Sequence, residues 1–297
     1  MNKFTVSVVV PNFNGENLLK KNLGPLLSAS KNPGNNIKEI IVVDDGSTDG
    51  SVKLITSVFP QVKLIKHTKN RGFSASVNTG VRAAKGNLIL LMNTDVIPTA
   101  NFLTPVFKSF ENKKVFAVSL HERGFGWARG EFSEGYINLS MGKETTKTHP
   151  SFYVSGGSGV FRLSIWKELN GMDEKLLSPF YWEDIDLCYR AAKRGYINLW
   201  EPAGNVVHNH ESTIGKMSKK HVQRIRERNQ LLVIWKNIQS RLFFRKHVLA
   251  VVKRMFLHPG YARIVFMALA KLGSTIKARK KEIKQCKVSD EVIFSRF

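Results

Sequence analysis

Apolar and polar positions alternate in blocks along the first hundred residues. "TVSVVVP" (5–11), "EIIVVDDG" (39–46), "VKLIKH" (62–67) and "NLILLMNTD" (87–95) are short apolar runs rich in β-branched residues, and they predict strands. Between and after them, 15–30, 48–59, 71–85 and 101–112 carry helical spacing, although Gly24 and Pro25 are expected to disturb the first. This alternation predicts an α/β fold built on a parallel, doubly wound sheet covered by helices. Ligands of such sheets bind at the carboxyl ends of the strands, near a topological switch point. Three of the strands end in polar or acidic residues: Asn12 and Asn14, Asp44 and Asp45, and Asn93 to Asp95.

Residues 121–152 have no sustained period and many glycines, which predicts a long irregular excursion over the active face. "YVSGGSGVFRLSIW" (153–166) reads as a return to the sheet followed by a helix. Residues 184–194 form an amphipathic helix, with Ile185, Cys188, Tyr189 and Ala192 at helical spacing and Gly195 as its stop. From about residue 213 the pattern is helical and basic. Leu242, Leu249 and Phe256 recur seven apart with Val248, Val252 and Met255 beside them, and Lys246, Lys253 and Arg254 opposite. No apolar run reaches the ~18–20 residues needed to span a bilayer. Two readings stay open for this tail: helices lying in a membrane interface, or a helical cap packed on the main domain with a solvated basic face.

Charge sharpens this picture. The chain of 297 residues carries a formal net charge of +23, and 21 Lys and Arg against 5 Asp and Glu lie from Glu211 onward, so the tail alone holds +16. An anionic partner is expected for it: a phospholipid surface, nucleic acid or a phosphorylated substrate. A hydrophobic content of 42% is enough to bury a sizeable core and excludes a disordered chain. Cys188 and Cys286 have no metal-type spacing, and the first residues lack the apolar core of a secretory signal, so a reducing cytoplasm is the expectation.

Four stretches carry chemistry. In "VVDDGSTDGS" (42–51), Gly46 and Ser47 suit a strand-to-helix corner, but two adjacent carboxylates need donors, and a nucleobase N–H or ribose hydroxyl is a fitting source. Asp95, delivered by an apolar strand, is placed to hold a hard divalent cation that bridges two phosphates. His208 and His210 in "VVHNHEST" (206–213) fall on one side of an extended segment, and imidazole completes a Mn²⁺ shell. Finally, "FYWEDID" (180–186) leads three aromatic residues into Glu183, Asp184 and Asp186 at a helix N-terminus. The helix dipole accounts for the acids there. An apolar approach also raises a carboxylate's pKa and makes it a better base for a sugar hydroxyl.

In this order, "VSVVVPNFNG" (6–15), "IVVDDGSTDGS" (41–51), "NRGFSASVNTGVRAAKG" (70–86), "LILLMNTD" (88–95), "SGGSGVFRLSIWKELNGMDE" (155–174), "WEDIDLCYRAAKRGY" (182–196) and "VVHNHEST" resemble the family 2 glycosyltransferases over roughly residues 5–235. The resemblance implies a GT-A fold: a Rossmann-like, mostly parallel sheet in a catalytic domain over 1–212, with a nucleotide-binding part to about 95 and an acceptor-binding part after it. The basic helical region is then 213–297. It further implies an inverting transferase that uses a nucleotide-sugar donor of UDP or dTDP type and a glycan or lipid-linked acceptor, in cell-surface polysaccharide synthesis. Asp45 is implied to contact the base, with Pro11 and Asn12 lining the same pocket and Asn14, Arg71, Asn78 and Asn93 grouped with the nucleotide. Asp95 and His208 are implied to hold Mn²⁺ or Mg²⁺ at the diphosphate, although Asn93 stands where the family's first metal-motif acid is found. Gly156 and Gly157 match the acceptor-side loop and Asp184 the general base, with Trp182, Glu183 and Asp186 beside the acceptor. Peripheral attachment to the inner face of the cell membrane suits such an acceptor.

Two other function classes are weaker. A basic nucleic-acid binder fits the charge, but no helix-turn-helix, zinc or RNA-recognition pattern is present, and acids at the strand ends repel a phosphate backbone. A sugar nucleotidyltransferase needs a glycine-rich basic loop after the first strand, which "PNFNGENLLKK" (11–21) supplies poorly.

Overall fold

The structure, a computed structural model, describes residues 3–208 and 217–297. Its alternating half runs β1 (Val6–Asn12), α1 (Glu16–Ser30), β2 (Ile37–Asp44), α2 (Ser51–Val58), β3 (Lys63–Lys66), α3 (Phe73–Ala83) and β4 (Leu88–Met92). These strands are parallel in the order β3-β2-β1-β4. The chain therefore builds outward from β1 and then returns to its other side, which makes the carboxyl ends of β1 and β4 the switch point. Each central strand is buried on both faces. Val8, Val10, Leu90 and Val42 pack with Leu19 and Phe102 on one side, whereas Val9, Ile89 and Leu91 pack with Val77, Trp166 and Leu187 on the other. The helix α1 is not disturbed by Gly24 and Pro25: it is continuous, with Pro25 exposed and Leu19, Leu23 and Leu26 buried. The missing N–H thus falls on the solvent side, where it costs least.

The second half comprises β5 (Val96–Pro98), α4 (Thr104–Ser109), β6 (Val115–Glu122), β7 (Ala128–Ser133), β8 (Tyr136–Met141), β9 (His149–Pro150), β10 (Ser158–Arg162), α5 (Leu163–Glu168), α6 (Glu183–Lys193) and β11 (Ile197–His208). The sheet continues as β4-β10-β6-β11-β5, with β10 antiparallel to both β4 and β6. Two registers matter for function. Ser158 pairs with Met92, which sets residues 156–157 against the end of β4, and His208 pairs with Val96, which sets it beside Asp95. The segment 121–152, expected to be irregular, is instead largely ordered by the antiparallel pair β7 and β8. Its turn uses Glu134 at φ 51° and Gly135 at φ 80°, the pair of positive angles that a tight hairpin demands. A Cβ at Gly135 would lie 2.5 Å from Ala250 Cβ and 2.7 Å from the Lys246 carbonyl, so glycine is also what admits the tail here.

That tail is helical: α7 (Lys219–Asn237), α8 (Arg241–Leu257), α9 (Ala262–Leu269), α10 (Leu272–Gln285) and α11 (Asp290–Phe294). Leu231, Leu232, Ile234, Val265 and Ile293 join Trp182, Ile185 and Phe152 in a third apolar cluster, so the tail packs on α6 and the hairpin. Among the described residues no helix is long and apolar enough to cross a membrane. α8 turns His247 and Val251 inward and leaves the seven-spaced Leu242, Leu249 and Phe256 outward at 58%, 70% and 82% exposure. Arg254 is not part of a fully solvated face: it lies 4.1 Å over the Tyr261 ring and bonds Glu227 at 2.9 Å.

Candidate active site

A cavity of about 390 Å³ opens at the switch point. Pro11, Asn12 and Asp45 line it from the ends of β1 and β2, and Asn93 and Asp95 from the end of β4. Gly156, Gly157, Glu183 and Asp184 complete its lining.

The two acids after β2 receive their donors from the protein itself. Asp44 accepts from Asn12 Nδ2 at 2.9 Å and from the Ser47 N–H at 3.1 Å. Asp45 accepts from the N–H groups of Arg71 and Gly72 at 2.9 and 2.8 Å and lies 2.6 Å from His67 Nδ1. Loop amides and an imidazole thus already supply donors to this pair, and Asp45, which holds the 70–72 loop, also lines the cavity. His67 was missed, although it ends the run "VKLIKH", and a strand's carboxyl end is where a binding residue is to be sought.

Several residues grouped with the nucleotide do not reach the cavity wall. Asn78 is buried and clamps Met172, accepting from its N–H at 3.1 Å and donating to its carbonyl at 2.8 Å. The Arg71 side chain points to Glu174 at 3.4 Å, so only its backbone serves the site. Asn14, at φ 50°, accepts from the Thr48 N–H at 2.8 Å and braces the two loops against each other.

At the end of β4, the Asn93 N–H donates to the Gly157 carbonyl at 2.9 Å. Asp95 is buried at 2% exposure, with Oδ1 3.2 Å from His208 Nε2, and the opposite ring nitrogen of His208 is 3.3 Å from Glu122 Oε2. Burial disfavours the imidazolium, but the two carboxylates outweigh burial and raise the His208 pKa. Glu122 was also missed, because it closes a strand, Val115–Glu122, that was not assigned and whose last two residues fall in the segment read as irregular. His210 lies outside the described residues. Among those described, no group of three or more His, Cys, Asp and Glu side chains is arranged to hold a metal. The donor chemistry at Asp95 and His208 nevertheless fits a hard cation: one buried carboxylate oxygen and one imidazole nitrogen suffice where water and phosphate complete the shell.

α6 starts at Glu183, one residue earlier than expected. Asp184 opens on the cavity, its Oδ2 accepting from the Gly156 N–H at 3.2 Å and Oδ1 from the Ile185 N–H at 2.8 Å. Burial raises its pKa, and these hydrogen bonds only partly oppose that. Beside it, burial first and the Asp184 charge second push Glu183 well above the usual carboxylate range, and Glu183 Oε2 has no hydrogen-bond partner among the described residues. Trp182 and Asp186 do not line the cavity. Trp182 is 5% exposed and packs in the third apolar cluster. Asp186 is fully buried and bonds Arg190 Nε at 2.8 Å, Lys236 Nζ at 2.9 Å and Asn237 Nδ2 at 2.8 Å, so it is a core anchor and not an acceptor contact.

Comparison with known proteins identifies the family and the fold. A sequence profile described as Glycosyl transferase family 2 matches residues 7–169. The chain is 28% identical over 186 residues to a pre-mycofactocin glycosyltransferase of Mycobacterium tuberculosis, a match covering 59% of this chain and 38% of that protein's length. It is 22% identical over 242 residues to an N-acetylglucosaminyl-diphospho-decaprenol L-rhamnosyltransferase of the same species, covering 69% of this chain and 76% of the relative. The crystal structure of GalNAc-T7 with UDP, GalNAc and Mn²⁺ superposes with a TM-score of 0.72 at 17% identity, over 99% of this chain and 56% of that one, which shows the GT-A fold.

Proposed function

The chain belongs to glycosyl transferase family 2, and from that premise we propose that it moves a sugar, with inversion, from a UDP- or dTDP-type donor to a hydroxyl of a glycan or lipid-linked acceptor. It is a glycosyltransferase of GT-A fold. The observation that carries the finer reading is that Asp184 and Asp95 line one and the same cavity. Asp184, a carboxylate of raised pKa, takes the acceptor proton as that oxygen attacks the anomeric carbon. The new glycosidic C–O bond forms as the bond to the diphosphate breaks, and the nucleoside diphosphate leaves with the electron pair. Pro11, Asn12, Asp45 and Asn93 hold the nucleotide, and Gly156, Gly157 and Glu183 border the acceptor.

Asp95 and His208 are the residues that would hold Mn²⁺ or Mg²⁺, which supplies charge stabilisation to the departing diphosphate. GalNAc-T7 with UDP and Mn²⁺ supports that reading by analogy of fold. We assign the catalytic domain to 1–212 and the basic helical region to 213–297, and place the latter on the cytoplasmic face of an anionic membrane, in polysaccharide assembly. A thermal-shift panel of UDP, dTDP, GDP and CMP, each with and without Mn²⁺ or Mg²⁺, tests the donor assignment. Ligand at ~100 times its Kd stabilises a fold by about 2.7 kcal/mol. A metal-dependent shift with UDP or dTDP is the expected result, and no shift with any nucleotide on folded protein sinks the reading.

A further inference from the structure

A second cavity, of about 360 Å³, lies beside the first. The hairpin residues Leu139, Ser140 and Met141 form one wall, and β6, β10 and β11 contribute the other through Glu122, Ser158 and Trp200. The two cavities adjoin. Ser155 lines both, and His208 of the second is paired with Asp95 of the first. Tyr153 of the second cavity is pushed up to about 12 by burial and by the charge of Asp184, which faces the first.

The walls of this second cavity mix hydroxyls with rings. Ser140, Ser155 and Ser158 stand among Trp200, Tyr153 and Phe125. Trp200 is 2% exposed and lends ring surface to the wall, its indole N–H being buried out of a ligand's reach. Hydroxyls set beside rings suit a ligand that brings both oxygens and apolar faces. An acyl or isoprenyl chain would leave the serines unmatched. A sugar ring offers edge oxygens for donors and hydroxyls, and apolar C–H faces for the aromatic side chains.

We infer that the second cavity is an acceptor subsite that holds the sugar ring adjacent to the one being glycosylated; this rests on the transferase reading above. Its shared wall at Ser155 lets an acceptor glycan lie with its attacked hydroxyl at Asp184 and its next ring between the hairpin and Trp200. The hairpin then serves as a specificity element, and Ser140, exposed at its edge, guards the entrance.

The test is saturation-transfer difference NMR on the full chain, using methyl glycosides of glucose, galactose, mannose, N-acetylglucosamine and rhamnose with cellobiose and maltose as probes. Nucleotide and Mn²⁺ thermal shifts are recorded on the same sample. Saturation is expected at ring protons of at least one saccharide. It should vanish in Ser140→Trp, which plugs the entrance from an exposed position. A sample that shows a nucleotide shift but no saccharide saturation overturns the subsite, as does saturation that persists in Ser140→Trp. Loss of the nucleotide shift as well overturns the transferase reading, and the subsite with it.

Discussion

Lys236 of α7 donates to Asp186 of α6 at 2.9 Å, two residues from Asp184, so the helical tail and the reaction site are joined through one buried ion cluster. Burial alone would raise the Asp186 pKa, but the charges of Arg190 and Lys236 and the hydrogen bond from Asn237 hold the carboxyl down at about 2. A second anchor acts at the other end of α6. Asp290, just before the chain's end, accepts from Tyr189 at 2.7 Å and Lys193 at 2.6 Å, and also from the N–H groups of Gln239 and Ser240 at 2.6 and 2.7 Å. The tail thereby fixes the helix that presents Asp184.

Lys236→Met leaves Asp186 with Arg190 and Asn237 but removes one of its two cations, and breaking a buried pair costs about 3–5 kcal/mol. The expected result is a clear loss of thermal stability together with weakened transfer. A depressed carboxylate pKa contributes stability that is fully present above the unfolded value of ~3.9 and is lost as pH falls through the folded one. Acid unfolding of the wild type should therefore gain steepness between about pH 4 and pH 2, a window set by the Asp186 value of about 2. In Asp186→Asn that contribution should be absent when denaturant titrations are repeated across the same range.

Asp184→Asn should separate binding from chemistry. Loss of a general base lowers turnover by roughly 10²–10⁴-fold, while the nucleotide-dependent thermal shift should persist, because Asp184 is held by the Gly156 and Ile185 amides and not by the residues assigned to the nucleotide. Burial raises the Asp184 pKa, so the native state binds that proton more tightly than the unfolded chain, and stability falls as pH rises through the two values. Removing the charge should leave the melting temperature at neutral pH unchanged or higher. In the wild type the acid limb of activity should sit above the ~3.9 of an ordinary aspartate. Near-normal turnover of the amide variant rules out the base assignment.

The neighbouring glycines should respond unequally to a methyl group. A Cβ on Gly157 would lie 2.6 Å from Asn93 Nδ2 and 3.0 Å from its Cγ, whereas one on Gly156 meets only the Phe73 ring at 3.3 Å and Met172 Cε at 3.4 Å. Gly157→Ala must displace the Asn93 amide, the far end of a half-buried side chain, within the cavity. Nucleotide affinity should drop by about tenfold or more in Gly157→Ala and change little in Gly156→Ala, as read by titration calorimetry. Equal affinities in the two variants would show that Asn93 has no part in nucleotide binding.

How much of this was legible in the sequence depends on how local each cause is. The strands β1, β2 and β4 were readable because their apolar runs are continuous, and the acids at their ends because the chain delivers them directly. Pro25 misled, since its effect depends on which side of α1 faces solvent. The roles of Asn78, Arg71 and Asp186 were beyond reach for another reason: Met172, Glu174 and Lys236 lie 94, 103 and 50 residues away from them, respectively. The β7–β8 hairpin was hidden because its strands are short and its turn is Glu-Gly, not the Asn-Gly or Asp-Gly pair that announces a tight turn.

The tail left two sequence readings open, a packed cap or an interfacial helix, and the surface favours their combination. Its inner side packs on α6 and the hairpin, whereas Leu249 and Phe256 stay 70% and 82% exposed on a chain segment rich in Lys and Arg. Leucine and phenylalanine side chains are each worth about 1.5–3 kcal/mol on full burial, and each Lys or Arg near an anionic surface adds about 1 kcal/mol. Those two terms together are large enough for reversible membrane binding without a spanning helix. The purified protein should float with phosphatidylserine-containing vesicles at low salt, float less at high salt as screening removes the ionic part, and ignore purely zwitterionic vesicles. The double variant Leu249→Ser with Phe256→Ser should lose most of the apolar part while keeping its melting temperature, because neither side chain belongs to a core cluster. Protein that stays at the bottom of the gradient with anionic vesicles at low salt would leave the cap as the tail's sole role.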